Sequence, residues 1–213
     1  MAPSSPAAGG GRWISVPPER LDRWLANFAD RHGATDTSEV DGAVVVTAAD
    51  RAVATFEVPF GPLRGSLTEH ALMDRRIGVL LVRLGGYAAG VFEGRTLVSS
   101  KVGSRLVHGR AAAGGTSQHR FARRREGQSR VALAAAADNA VRILVPEVAR
   151  LDAVVIGGDR SAVDEVLTDR RLAPLLPLVQ GLLLDVPDPR LVVLRSTPDL
   201  FRAVRIHLAD PPT

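Results

Sequence analysis

The sequence contains no cysteine, which excludes disulfides, cysteine-ligated zinc and a catalytic thiol. A reducing cytoplasm is compatible with such a chain and is its expected location. Lysine is almost missing: of the 27 basic residues, only Lys101 is not arginine. Aromatic residues make up 4% of the chain, and the pair that could stack on a base, Trp24 and Phe28, falls at core spacing. No apolar run approaches the ~18 residues that span a membrane, so no membrane partner is expected. Residues 1–12 (MAPSSPAAGGGR) have neither the apolar core nor the basic start of a signal peptide and read as a flexible tail.

What is present is a chain of 213 residues, 46% hydrophobic, enough for one domain plus a small appended unit with a sizeable core. The formal net charge is +4, but its distribution says more than its total. Lys101, Arg105, Arg110, Arg120, Arg123, Arg124, Arg125 and Arg130 stand against Glu126 alone, so residues 101–130 carry +7 and the remainder −3. A mildly acidic body with one strongly basic segment suits nucleic acid or another polyanion. A solvated charged helix face would have the same composition.

Residues 17–32 open with two prolines, carry Leu21, Trp24, Leu25 and Phe28 at helical spacing and end before Gly33, which predicts a helix. The runs 43–48 and 52–58 predict a β-hairpin, and 13–65 reads as a small helix-plus-hairpin unit. Ser66 with Glu69 is a capping-box pattern opening a short helix. The apolar runs 77–84, 87–93 and 96–102 predict a three-stranded antiparallel meander. Residues 129–151 predict a long helix that Pro146 kinks or ends, with Val131, Ala134, Val141, Leu144, Val145 and Val148 on its apolar face. Beyond it, AVVIGG (153–158) reads as a buried parallel strand, 161–169 as a helix, 181–186 as an apolar strand, and AVRIHL (203–208) as a last strand after a helix near Pro189. The expected fold class is a mixed α/β sheet with helices on both faces over residues 66–210, in an order resembling the ribonuclease-H-like arrangement.

Several chemistries find no support. Two-metal hydrolysis needs carboxylates gathered on adjacent strand ends, but the first meander strand has none and Glu93 stands at the edge of the second. Asp152, Asp159 and Asp185 occupy ordinary strand-end positions, and the five histidines show no HExxH spacing, so no metal and no cofactor is expected. The turn Gly157-Gly158-Asp159-Arg160-Ser161 lacks the phosphate-binding glycine patterns and reads as a tight turn with a helix cap. No GxSxG elbow is present.

The basic loop at 103–128 is chemically coherent. Gly114 and Gly115 allow a close backbone approach to a ligand. Gln118 can donate and accept hydrogen bonds together. Arg120, Arg123, Arg124 and Arg125 follow, with spacing suited to phosphate contacts from a helix.

The stretch HGRAAAGGTSQHRFARRR resembles the GGQ region of the eukaryotic and archaeal class-one peptide-chain release factors. Gly114 and Gly115 match the two glycines, Ser117 the serine, and Arg120-Phe121-Ala122-Arg123 the R-F-A-R element. Thr116 stands where those factors have glutamine, and Gln118 arrives two residues later. That Gly-x-x-Gln form is similar to the VLRF-type release-factor-like family, whose actinobacterial branch consists of short peptidyl-tRNA hydrolases. VRLGGYAAGVFEG and KVGSRLVHGR also look like that branch, and the likeness is expected to extend from about Arg76 to Leu208 and into the N-terminal unit.

The resemblance implies a release-factor catalytic domain acting on peptidyl-tRNA held in stalled large ribosomal subunits, with rRNA and tRNA as partners. It makes Gln118 the essential residue, with Gly114 and Gly115 shaping the loop, and Lys101, Arg105, Arg110, Arg120, Arg123, Arg124, Arg125 and Arg130 as RNA contacts. The displaced glutamine leaves two chemistries open, ester hydrolysis and cleavage within the tRNA 3′ CCA end. A non-catalytic RNA- or ribosome-binding module would use the same arm. The oligomeric state stays open.

Overall fold

The paired prolines set the first helix entry as expected: a 3-10 turn, Pro18–Arg20, runs into helix α1 (Leu21–His32), and the Gly33 N–H closes it on the Ala29 carbonyl at 2.8 Å. The structure, a computed structural model, describes residues 4–6, 10–83, 86–104 and 117–209, with the backbone alone over residues 4 and 117–129. The chain divides into two compact units, Met1–Met73 with Pro198–Thr213, and Asp74–Thr197.

The first unit holds strands β1 (Ser4–Pro6), β2 (Arg12–Val16), β3 (Thr35–Val40), β4 (Ala43–Ala48), β5 (Val53–Glu57) and β11 (Val204–Leu208). They form one antiparallel sheet in the order β1-β2-β11-β5-β4-β3. Alternation along the strands buries Val16, Val44, Val46, Ala54, Phe56, Val204 and Ile206 with Leu21 and Phe28 of α1. Trp24 stacks on Phe28 at 5.3 Å between centroids and meets Phe56 edge-on at 5.4 Å, so the pair is core. Helix α2 (Leu67–Leu72) begins with the capping box at Ser66, whose Oγ accepts the Glu69 N–H while Glu69 accepts the Ser66 N–H. Helix α6 (Pro198–Phe201) leads into β11.

Three features of this unit differ from the sequence reading. Ser4–Pro6, within the expected tail, pairs with β2. β3 (TDTSEV), not foreseen, is exposed at every position and is held by its ladder to β4 rather than by burial. The last strand pairs with β2 and β5 of the first unit, instead of completing the sheet of residues 66–210. Its alternating pattern, Val204 and Ile206 buried with Arg205 and His207 half-buried between, suits a sheet with one open face.

The second unit holds β6 (Arg76–Arg83), β7 (Gly86–Glu93), β8 (Thr96–Ser104), β9 (Ala153–Gly158) and β10 (Val179–Leu184) in one mixed sheet. β6, β7 and β8 form the expected meander, and β9 and β10 add in parallel on the other side of β6, giving the order β10-β9-β6-β7-β8. This is a mixed α/β sheet of the ribonuclease-H-like arrangement, with β9 buried as its unbroken apolar run requires. Helix α3 (Ser117–Leu144) packs on β7 and β8, helix α4 (Arg160–Leu167) on β6 and β9, and helix α5 (Leu191–Ser196) on β7. Pro146 ends α3: a 3-10 segment, Val145–Arg150, takes over.

The apolar face expected for this helix holds at its far end, where Leu144 is buried and Val141, Val145 and Val148 pack on the core, but not nearer its start. Val131 (46% exposed) and Ala134 face solvent, while Ala136, Ala137, Ala140 and Leu144 are buried. Alanines sit closest to the sheet because their short side chains admit a tight helix–sheet approach.

Candidate functional site

The parallel strands β6, β9 and β10 end on the same side of the sheet, and β8, antiparallel to β7, ends there too. β8 therefore ends with Ser104 at the carboxyl edge of the sheet, and α3 begins at Ser117, so residues 117–128, expected as part of the basic loop, are helical. Gly114, Gly115, Arg105 and Arg110 lie outside the described residues, and the bonding of the Gly-Gly pair with them. Lys101 is exposed on β8, and Arg130 is exposed on α3. Gln118, Arg120, Arg123, Arg124 and Arg125 all lie in the first turns of α3, where the backbone fixes their positions.

Those positions divide by helical phase. Gln118 is the second residue of α3 and stands 15 residues, ~22 Å of helix, before Leu133, the first described side chain of α3 that packs on the core. Its azimuth matches Ala136, five full turns on, and nearly matches Arg125, two turns on. Arg120, Arg123 and Arg124 occupy the opposite face. The sequence reading spread the arginines over much of the helix; the phase separates three of them from the glutamine.

The distal half of α3 is anchored by charge as well as by packing. Arg171 Nη2 donates to Asp138 Oδ1 on α3 at 2.8 Å, and Arg171 Nε donates to Asp169 Oδ1 at 3.0 Å. The Arg171 hydrogen bonds hold the Asp169 carboxyl at about 2, well below its ordinary value. Past the end of α3, Glu147 accepts from Arg76 Nε and Nη2 at 3.1 and 3.0 Å and from Arg150 at 2.7 Å. Arg76 also pairs with Glu93, and its N–H donates to Asp152 Oδ2 at 2.7 Å. Glu93 is thus engaged in an ion pair and Asp152 in a hydrogen bond to the backbone. Among the described residues, no three His, Asp or Glu side chains stand close enough to hold a metal.

The turn after β9 is also committed to structure. Gly158 has φ of 100°, a conformation open to glycine, and the Asp159 N–H donates to the Val82 carbonyl at 2.8 Å. Asp159 takes the N-cap position of α4, but its side chain makes no capping hydrogen bond.

The sequence reading did not single out the residues at the end of the β7–β8 ladder. Tyr87 on β7 and Gly103 on β8 are direct cross-strand partners, one residue pair before β8 ends. A Cβ on Gly103 would lie 2.5 Å from both Cε2 and Oη of Tyr87, so the ring covers the glycine backbone. On the other face, a Cβ on Gly86 would lie 3.2 Å from the Pro189 carbonyl and 3.3 Å from that of Gly103. A lone tyrosine facing a strand glycine is the sequence signal for such a pair.

No helix among the described residues is long and apolar enough to cross a membrane. No curated protein matches the chain. Among solved structures, it is similar to the archaeal translation termination factor aRF1, with 15% identity over 91% of this chain and 63% of that chain and a TM-score of 0.40. It is also similar to an archaeal protein, with 16% identity over 89% of this chain and 65% of that chain and a TM-score of 0.36. In both cases this chain spans less than two thirds of the other's length. The family model of the Actinobacteria/chloroflexi VLRF1 release factor matches residues 75–207, from the start of the meander to the last strand, and the chain belongs to that release factor family.

Proposed function

We propose that this protein is a cytoplasmic, ribosome-associated peptidyl-tRNA hydrolase that frees nascent chains from tRNA on stalled large ribosomal subunits. The family is one of release factors. The observation that carries the finer reading is the position of Gln118, in the first turn of α3 and ~22 Å from the first described core-packed side chain of that helix. A residue so placed can enter a recess that the sheet is too bulky to enter. The opposite phase of Arg120, Arg123 and Arg124 lets them contact phosphate on one side while the glutamine serves the ester on the other.

The chemistry asked of the protein is small. The ester is already activated, and positioning by the surrounding RNA lowers the entropic part of the barrier. The Gln118 carboxamide accepts a hydrogen bond from a water and orients it toward the ester carbonyl. Water adds to that carbon, the bond to the ribose 3′ oxygen breaks, and the proton passes to that oxygen. The products are a free peptide carboxylic acid and a tRNA with an intact 3′ hydroxyl. No cofactor enters the step.

Incubation with purified large subunits carrying peptidyl-tRNA, followed by mapping of the tRNA 3′ end, tests the reading. Released peptide with an intact CCA end supports ester hydrolysis. A 3′ end shortened within CCA would replace it with phosphodiester cleavage. Binding without either product would make the arm an RNA-binding module.

A further inference from the structure

Gln118 stands at the start of α3, and one side chain links the core that seats α3 to the end of β8. Tyr87 projects from β7 on the face that also carries Ala89 and Val91, the face on which α3 packs. It packs against the core cluster that includes Ala136, Ala137 and Ala140 of α3. Its ring also covers Gly103, in the last cross-strand pair but one of β8. The side chain thus touches the end of the outgoing strand and belongs to the core that seats the returning helix. Pro189, close against Gly86 on the opposite face, closes the same strand end from behind.

Burial alone gives no reason for this pairing. Gly103 has ordinary extended backbone, so glycine is needed there for the space the ring occupies. A strand that only closed the sheet could carry a β-branched residue at this site. Here a strand-weakening glycine faces the chain's single tyrosine next to the segment of functional interest. A ring lying across bare backbone fixes both the height and the direction of the strand at that point.

We infer that Tyr87 is a positioning residue: by seating on Gly103 and packing in the core that holds α3, it sets the end of β8 and the placement of the Gln118 end of α3. This rests on the hydrolase reading for its consequence in activity, but not for its consequence in structure.

Two measurements test it, one for each consequence. In peptide release from large subunits, Tyr87→Phe keeps the ring and retains the parent rate. Tyr87→Val keeps a good strand former, loses the ring, and lowers kcat by about a hundredfold with KM little changed. Gly103→Ala displaces the ring and behaves as Tyr87→Val. Equal rates for Tyr87→Phe and Tyr87→Val would overturn the inference. Amide exchange on the free protein reads the structural part without any substrate. In Tyr87→Val, amides of 102–104 and 117–129 should exchange about tenfold faster, with β9 unchanged. No change at those amides, or the same change in β9, would overturn it. If the parent chain releases no peptide, the hydrolase reading fails while the exchange result still decides the role of Tyr87.

Discussion

Arg171 joins two elements through one guanidinium: its Nη2 donates to Asp138 on α3 at 2.8 Å, while Nε and Nη2 grip Asp169 at 3.0 and 2.6 Å. The 3-10 segment Arg170–Leu178 is thereby tied to the outer side of α3, opposite the sheet-facing alanines. Packing on one side and a charged clasp on the other hold the distal half of the helix that carries Gln118.

This clasp gives a pH dependence of defined sign. The Asp169 carboxyl lies at about 2 in the folded protein, against an ordinary 3.8. A depressed folded-state pKa stabilises the fold fully above the unfolded value and loses that contribution as pH falls through the folded one. The difference in thermal stability between the parent and Asp169→Asn should be constant near neutrality and shrink between about pH 4 and pH 2. A difference that does not change with pH would show that the carboxylate charge is not what Arg171 recognises.

His70 gives a second prediction, within the first unit. It is 1% exposed, its Nδ1 accepts the Arg64 N–H at 3.0 Å, and its Nε2 lies 2.8 Å from the Pro59 carbonyl. Since Nδ1 accepts, Nε2 carries the proton and donates, which nitrogen chemical shifts of the ring can read directly. His70→Ala strips the ring partners from two backbone groups and opens a cavity, and should cost about 2–4 kcal/mol in urea unfolding. A loss near the about 0.5 kcal/mol of a surface change would mean that the 59–65 turn does not need the ring.

Much of this architecture was legible because local and global signals agree. The Ser66–Glu69 capping box, the glycine-separated meander, the unbroken apolar β9 and the helix-ending Pro146 each obey a local rule that the fold leaves intact. β3 was not legible, because an edge strand exposed on both faces has no apolar alternation to reveal it. The partnership of β11 with β2 and β5 is a pairing across nearly the whole chain, which no local pattern specifies. The alternation in VRIHL marks it as half-buried without naming its neighbours. In the candidate site, residue types were legible and phase was not. That Gln118 and Arg120 fall on opposite faces follows only once α3 is known to begin at Ser117.

Salt dependence tests the electrostatic part of the site. If about five arginines of the 105–130 stretch contact phosphates, binding to large subunits should fall with a log–log salt slope near −4. Replacing Arg120, Arg123 and Arg124 together with glutamine should reduce the slope by about 2–3. A flat profile in the parent chain would remove the arm from the RNA contact altogether.

The most direct test of the central claim is single-turnover peptide release by Gln118→Ala on large subunits carrying peptidyl-tRNA, with subunit binding measured on the same preparation. Gln118 belongs to α3 but precedes its described core-packed part, so the substitution should leave binding within about threefold and the fold intact, while release falls by at least about a hundredfold. Release at the parent rate, or a loss of release matched by an equal loss of binding, would contradict a catalytic role for this glutamine.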